Sequence, residues 1–164
     1  MSVSTTPESI VGIIPALQRR KGFLGMSAET FNLIVTSNRL VFAAVSSQTM
    51  RAAVEAARQE AREQGQGRFG QFAAQLSWVN ALSRQYQTMP IDTILSTYPG
   101  SFYLANAEIK KIKLTTATSD DDDPSPKADL AIDALSGKHK FEIPSQAIKD
   151  ARQILQQTLN DKVK

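Results

Sequence analysis

The sequence predicts one α+β domain: a small antiparallel β-barrel or bent sheet with an inserted helical hairpin and a C-terminal capping helix. Three observations predict it. Apolar and polar residues alternate on both sides of a two-residue polar turn at Ser37–Asn38, which is typical of a β-hairpin. From residue 47 the apolar spacing changes to three or four residues, the period of an amphipathic helix. The same spacing returns between Ser145 and Asp161.

The β elements can be placed from local composition. Residues 9–18 are apolar and β-branched, which favours a strand running into a turn at 22–25. Pro15 has no amide proton to donate, so this strand should lie at a sheet edge or contain a bulge. The hairpin with the Ser37–Asn38 turn occupies 29–46. Further strand material is expected at 102–104, 109–115, 130–135 and 138–143, the last two forming a second hairpin.

Three longer helices complete the prediction. The first two, 47–64 and 68–87, are separated by glycines and form a helical hairpin insertion over 47–88. The apolar stripe of the first is mainly alanine, whereas that of the second carries large side chains. After Pro90 a short helix is expected, and the third longer helix, 145–161, should close the domain.

Composition narrows the function classes. The 164 residues are the size of one domain, 1–164, and the absence of cysteine excludes disulfides and thiolate chemistry. His139 is the only histidine, so it forms no metal cluster, and a surface position without chemistry is the favoured interpretation. Asp120–Asp123 lack the spacing of a calcium loop, and a solvated acidic loop is favoured. We therefore expect no catalytic residue, no metal and no cofactor; an enzyme without histidine chemistry is the third hypothesis.

The chain lacks an apolar run long enough to span a bilayer, and its first residues do not resemble a secretory signal. We therefore expect a cytoplasmic protein, peripheral at the membrane if it binds lipid. The net charge of +3 is modest, and the basic residues are dispersed without an aromatic RNA-binding motif. This pattern disfavours nucleic acid as a partner.

Three segments carry a resemblance to a known family. They read FNLIVTSNRLVF (31–42), SFYLANAEIKKIKL (101–114) and KFEIPSQAIKDARQILQQTL (140–159). Together they resemble the bacterial and archaeal pleckstrin-homology-like domains and the related GRAM-type domains, although the insertion 47–88 departs from the usual pattern. The resemblance implies a seven-stranded barrel-like fold, a final capping helix and a role in binding lipid headgroups, peptides or other proteins. It implies no catalytic residues.

The resemblance also suggests where an anionic headgroup would bind. Arg19, Arg20 and Lys21 lie beside the first turn, and Arg39 could project nearby. Arginine suits phosphate because it donates paired hydrogen bonds. The alternative is that these residues only make the turn soluble. Three lysines of the 109–115 strand could extend the basic face, but protection of a sheet edge explains them equally well.

The second hypothesis is self-association or partner binding through the helical hairpin. Its second helix has more apolar surface than one alanine-rich helix is expected to cover. We therefore predict a homodimer held partly by this helix, with packing on the chain's own sheet as the alternative. The predicted interface residues are Phe69, Phe72, Leu76, Trp78, Val79 and Tyr86.

Overall fold

A computed structural model describes residues 8–21, 27–63, 78–116 and 127–164. The strands are β1 (Ile10–Lys21), β2 (Ser27–Thr36), β3 (Arg39–Val45), β4 (Phe102–Ala105), β5 (Ile109–Thr116), β6 (Lys127–Ala134) and β7 (Gly137–Pro144). The helices are α1 (Ser47–Glu63), α2 (Trp78–Gln87), α3 (Ile91–Thr97) and α4 (Ile148–Leu159), with 3₁₀ turns at Asn106–Glu108, Ser145–Ala147 and Asn160–Lys162. The predicted turn at 22–25, the Asp120–Asp123 loop and the predicted helical stretch 68–77 lie outside the described residues.

The strands form one antiparallel sheet in the order β4-β3-β2-β1-β7-β6-β5. Both predicted hairpins are confirmed, as β2–β3 and β6–β7. In the described ranges β4 and β5 are the two edges and do not pair, so the sheet is bent and open and the closed-barrel alternative is wrong. β1 and β7 meet at one register position, Gln18 opposite Glu142, which divides the sheet into two halves.

The proline in the first strand marks a bulge. β1 lies between β2 and β7, so the edge-strand alternative for Pro15 is wrong. The register with β2 shifts between Ile14 and Leu17, and Ala16 has a positive φ of 61°. One extra residue in a strand produces this local irregularity, and a proline is tolerated there because no ladder hydrogen bond is lost.

The concave side of the sheet encloses the larger of two apolar clusters, the inner core. All seven strands and α4 contribute to it, so α4 covers one end as the predicted closing helix. Gly12 of β1 allows the helix to approach closely, because a Cβ at this position would lie 2.7 Å from Cγ2 of Ile154. Four rings stack or meet edge to face inside: Phe31, Phe42, Phe102 and Phe141.

The convex side of the β1–β3 half carries the second cluster, the outer core, under α1, α2 and α3. Helices are present at Ser47–Glu63 and Trp78–Gln87, between β3 and β4, and they contact each other. Ser46 caps the first of them, because its Oγ accepts the amide of Thr49 at 3.1 Å. Buried members of this cluster include Ile34, Val41, Ala43, Leu82, Tyr86, Ile94 and Tyr98.

A buried polar side chain joins the bulge to this helical layer. Asn32 of β2 is fully buried, and its Oδ1 accepts the amide of Ala16 at 3.1 Å. Its Nδ2 donates to the hydroxyl of Tyr86 in α2 at 3.1 Å. Burial raises the pKa of Tyr86 to about 12, so the phenol stays neutral at physiological pH. The side-chain amide of Asn32 therefore stabilises both the bulge in β1 and the packing of α2 on the sheet.

The chain's own tail pairs with part of the β5 edge. Val163 forms a parallel bridge with Ile112, whose carbonyl accepts the amide of Lys164 at 2.8 Å. Lys162 Nζ donates to the carbonyl of Asn106, at the corner between β4 and β5, at 2.8 Å. These contacts satisfy backbone groups that an edge strand otherwise exposes.

Candidate binding surfaces

Arg19, the first of the predicted headgroup residues, lies above the inner aromatic rings. Its Nε and Nη2 donate to Oε2 of Glu29 at 3.0 and 2.6 Å. Its guanidinium lies 5.0 Å from the ring centre of Phe31 and 5.3 Å from that of Phe102. The cation is thus fixed by a carboxylate and by two aromatic faces.

Arg20 projects to the opposite side of β1. Its Nε donates to Oε1 of Glu142 at 2.9 Å, although 62% of its side chain remains exposed. Lys21 ends β1, and its side chain lies outside the described residues. The two described arginines of this predicted cluster therefore face different ways, and each already has a carboxylate partner.

The expectation that Arg39 projects near this cluster is wrong. Register places Arg19 opposite Glu29, near the beginning of β2. Arg39 begins β3, next to the other end of β2, so Arg19 and Arg39 are separated by about 20 Å along that strand. Arg39 Nε donates to Oε1 of Glu8 at 3.0 Å, and Nη2 donates to Oδ1 of Asp92 at 3.0 Å.

Arg39 also lies 4.7 Å from the ring centre of Tyr103. Burial alone lowers the pKa of Arg39, but the bonds to the carboxylates of Glu8 and Asp92 outweigh it, and the net pKa is raised. These contacts join the segment before β1 to α3 and β4.

His139 belongs to the aromatic end of the inner core, a position that sequence reasoning missed. Its ring stacks on Phe102 with centres 5.8 Å apart and planes 26° apart. Nε2 lies 3.3 Å from Oγ of Ser136. Burial, and then the charge of Arg19, lower the pKa of His139 below its ordinary value, so the ring is neutral at pH 7. No local pattern could have revealed the position of His139, since β1, β4 and β7, which carry Arg19, Phe102 and His139, are distant in sequence.

The lowered pKa of His139 predicts a specific acid sensitivity. The unfolded chain takes up a proton near pH 6.5 and the folded chain only at lower pH, so this contribution to stability falls as pH drops below about 6.5. His139→Gln should lose that dependence, measured by denaturant unfolding between pH 5 and 8. Because His139 is the only histidine, its NMR titration reads the pKa directly, and Arg19→Gln should raise it. An ordinary pKa in the folded chain would contradict the prediction.

The predicted interface residues fall into three groups. Phe69, Phe72 and Leu76 lie outside the described residues, as do the side chains of Trp78 and Val79, whose backbone begins α2. Tyr86 has no exposed surface, because it packs on Tyr98 and bonds to Asn32 within its own chain. The expectation that Tyr86 contributes to an interface is therefore wrong.

A groove of about 780 Å³ lies between α1 and α2. Alanines form much of its wall, among them Ala52 and Ala56, which are exposed one helical turn apart. Gln48, Arg84 and Gln85 lie at its polar rim. Small side chains of this kind permit close approach of another backbone.

The convex side of the β5–β7 half carries a charged surface, which we name the lysine face. Strand pairing places Lys111 and Lys113 of β5, Asp129 and Asp133 of β6, and Lys138, Lys140 and Glu142 of β7 on it, next to Arg20 of β1. Lys140 Nζ lies 3.7 Å from Oδ2 of Asp129. A hollow of about 240 Å³ is lined by Gln18, Arg20, Lys140, Phe141 and Glu142.

The described residues contain no group of three or more histidine, aspartate or glutamate side chains placed to hold a metal ion. Over the same ranges, no helix combines the length and the apolar character that crossing a membrane requires.

Comparison with known proteins identifies no family. No protein-family model matches the chain, and no curated protein matches it. Among solved structures, the chain is similar to the C-terminal domain of an unknown protein from Leishmania infantum. The TM-score is 0.46 at 9% sequence identity, over 93% of this chain and 85% of that chain.

Proposed function

We propose that this chain is a non-enzymatic binding module of the pleckstrin-homology-like type and that it contacts another protein. The strand order, with α4 over the end of the inner core, supports the fold part of the proposal, since the resemblance implies seven strands and a final capping helix. In this view α1 and α2 belong to an insertion between the third and fourth strands. A cytoplasmic location is part of the same proposal.

The observation that carries the choice of protein over lipid is the state of the predicted headgroup residues. Arg19, Arg20 and Arg39 each form an ion pair with a carboxylate, and Arg39 lies at the far end of the sheet. A headgroup phosphate would have to displace Glu29 from Arg19 and Glu8 from Arg39, pairs whose side chains are at most 34% exposed. The displaced carboxylates would then lie near a negatively charged surface, which costs Coulomb energy. The arrangement therefore disfavours an anionic headgroup as the ligand.

Liposome sedimentation tests this choice. Vesicles of phosphatidylcholine containing phosphatidylserine should leave the protein in the supernatant even at about 20 mM salt, where the Debye length exceeds 20 Å and attraction is strongest. Binding that weakens with salt, and that is lost in Arg19→Gln with Arg20→Gln, would overturn the proposal in favour of lipid.

The protein partner is tested by reconstitution. A partner that co-purifies with the tagged chain from its source cells should form a complex of fixed stoichiometry when both purified chains are mixed. An adventitious contact does not give a fixed ratio of the two chains. Protein binding would therefore be contradicted if none of the co-purified proteins formed such a complex with the purified chain.

The alanine-walled groove favours a second candidate function, assembly of two copies through α1 and α2. In this case light scattering at micromolar concentration should give roughly twice the 17.9 kDa chain mass. Ala56→Glu should then yield a folded monomer, since Ala56 is exposed in the single chain and a charge buried at an interface is costly but is tolerated in water. A wild-type chain that stays monomeric at high concentration would exclude this candidate.

A further inference from the structure

We propose that the lysine face is the docking surface for an acidic segment of a partner protein. This inference rests on the proposed function and names the surface and the chemistry of the partner. Its residues are Arg20, Lys111, Lys113, Asp129, Asp133, Lys138, Lys140 and Glu142.

No described element covers the lysine face, whereas described elements cover the other large surfaces of the sheet. The concave side is filled by the inner core and α4, and the convex side of β1–β3 lies under the helical layer. On the convex side of β5–β7, Lys111, Lys113, Lys138 and Lys140 are all exposed. An extended partner segment can therefore reach this side without any rearrangement of the described elements.

The charge of the face is positive and unevenly distributed. Five cations stand against three carboxylates, an excess of two. Register aligns Lys113, Ala131 and Lys140 across three adjacent strands, and the pairing of Gln18 with Glu142 places Arg20 next in the same row. No carboxylate lies in this row, so three cations follow one another across about 14 Å at the usual strand spacing.

The shape of the row also suits a ligand. The short side chain of Ala131 lies between the strands that carry Lys113 and Lys140. The hollow of about 240 Å³ lies beside Arg20 and Lys140, where β1 and β7 pair at only one position. The lining of the hollow carries two cations and one carboxylate, Glu142, so its net charge is positive and favours an acidic protein segment over a neutral one.

Existing ion pairs do not block such a ligand. Arg20 and Lys140 leave 62% and 72% of their side chains exposed, and exposed pairs contribute little free energy. Within the described ranges, Lys111, Lys113 and Lys138 have no ion pair at all. A partner carboxylate can therefore bind at these three lysines without displacing an internal carboxylate.

Protection of a sheet edge explains only part of the pattern. β5 is an edge strand, so lysines there discourage strand addition. β7 lies inside the sheet between β1 and β6, where no edge needs protection, yet it carries Lys138 and Lys140 on the same face. Edge protection therefore does not account for Lys138 and Lys140.

The test is an NMR titration of the ¹⁵N-labelled chain with a hexaglutamate peptide at about 20 mM and about 200 mM NaCl. Shifts should map to β5, β6, β7 and Arg20, and affinity should fall with salt. The triple variant Arg20→Gln, Lys113→Gln, Lys140→Gln should bind roughly tenfold more weakly, as expected when three adjacent charges are removed.

The matched control is Arg51→Gln, Arg58→Gln, Arg62→Gln, which removes three arginines from α1, on the other half of the sheet. Both triple variants change the net charge from +3 to 0, three units in each case, so an equal charge is removed from two different places. The control should change affinity less than about twofold, because distant exposed charges are screened. If the first triple variant does not fold, Lys138→Gln with Lys140→Gln replaces it.

The outcomes separate the inference from the proposed function. Equal losses in both triple variants, shifts that map to α1, or no binding at low salt would overturn the inference and leave protein binding elsewhere on the chain intact. Salt-sensitive binding to phosphatidylserine vesicles through the same lysines would overturn both. Selective loss in the first variant, with no vesicle binding, supports both.

Discussion

Replacement of Asn32 by alanine should lower the free energy of unfolding by about 3 kcal/mol. The change removes the side chain that bonds to both groups, so the amide of Ala16 and the hydroxyl of Tyr86 each lose a hydrogen bond. Each buried polar group left without a partner costs about 1–3 kcal/mol. Since a domain of this size is stable by only about 5–15 kcal/mol, the loss is a large fraction of the total. Denaturant unfolding at pH 7 measures it.

Two matched variants locate the effect. Tyr86→Phe removes one hydroxyl and leaves the bulge contact in place, so it should cost about 1–2 kcal/mol, less than Asn32→Ala. Asn38→Ala changes an exposed asparagine in the β2–β3 turn and should cost less than about 0.5 kcal/mol. Comparable losses at Asn32 and Asn38 would contradict the role of the network.

Gly12→Ala should destabilise the chain by about 1–3 kcal/mol, the usual cost of adding a methyl group to a filled core. The new Cβ would lie 2.7 Å from Cγ2 of Ile154 and 3.0 Å from its Cγ1 and Cδ1. Either the side chain of Ile154 leaves its position or α4 moves away from β1. Thermal and denaturant unfolding both measure the loss.

A double-mutant cycle shows whether the steric conflict is the cause. Ile154→Ala removes the three atoms that the new methyl group meets, and by itself it should destabilise by leaving a cavity. Combined with Gly12→Ala, it should cost less than the sum of the two single changes, because the added methyl group occupies part of the vacated space. Strict additivity would show that Gly12 acts through its backbone freedom instead.

Local patterns predicted most of the elements. The alternation around Ser37–Asn38 predicted β2 and β3 because side chains on a strand have a period of two, and the spacing in 145–161 predicted α4 for the corresponding helical reason. Pro15 indicated that the first strand either lies at a sheet edge or contains a bulge. Only the position of β1 between β2 and β7 decided for the bulge. Neighbours in the sheet are a long-range property that no window of sequence contains.

The same limit applies to the candidate surfaces. The headgroup prediction placed Arg39 near Arg19 through the resemblance to pleckstrin-homology-like domains, but register separates them along β2. The pairing of Asn32 with Tyr86 joins residues 54 positions apart. The lysine face needs the register of β5 with β6 and of β6 with β7 before Lys113 and Lys140 become neighbours of one alanine.

The bridge between Val163 and Ile112 sets an order of events during synthesis. The ribosome makes β5 before β6, β7, α4 and the tail, so β5 emerges about fifty residues ahead of the segment that covers its edge. At roughly 5–20 residues per second, the edge of β5 remains without the segment around Val163 for several seconds. Lys111 and Lys113 are present from the beginning of the interval, and their charges oppose pairing with another nascent chain while the tail is still being made.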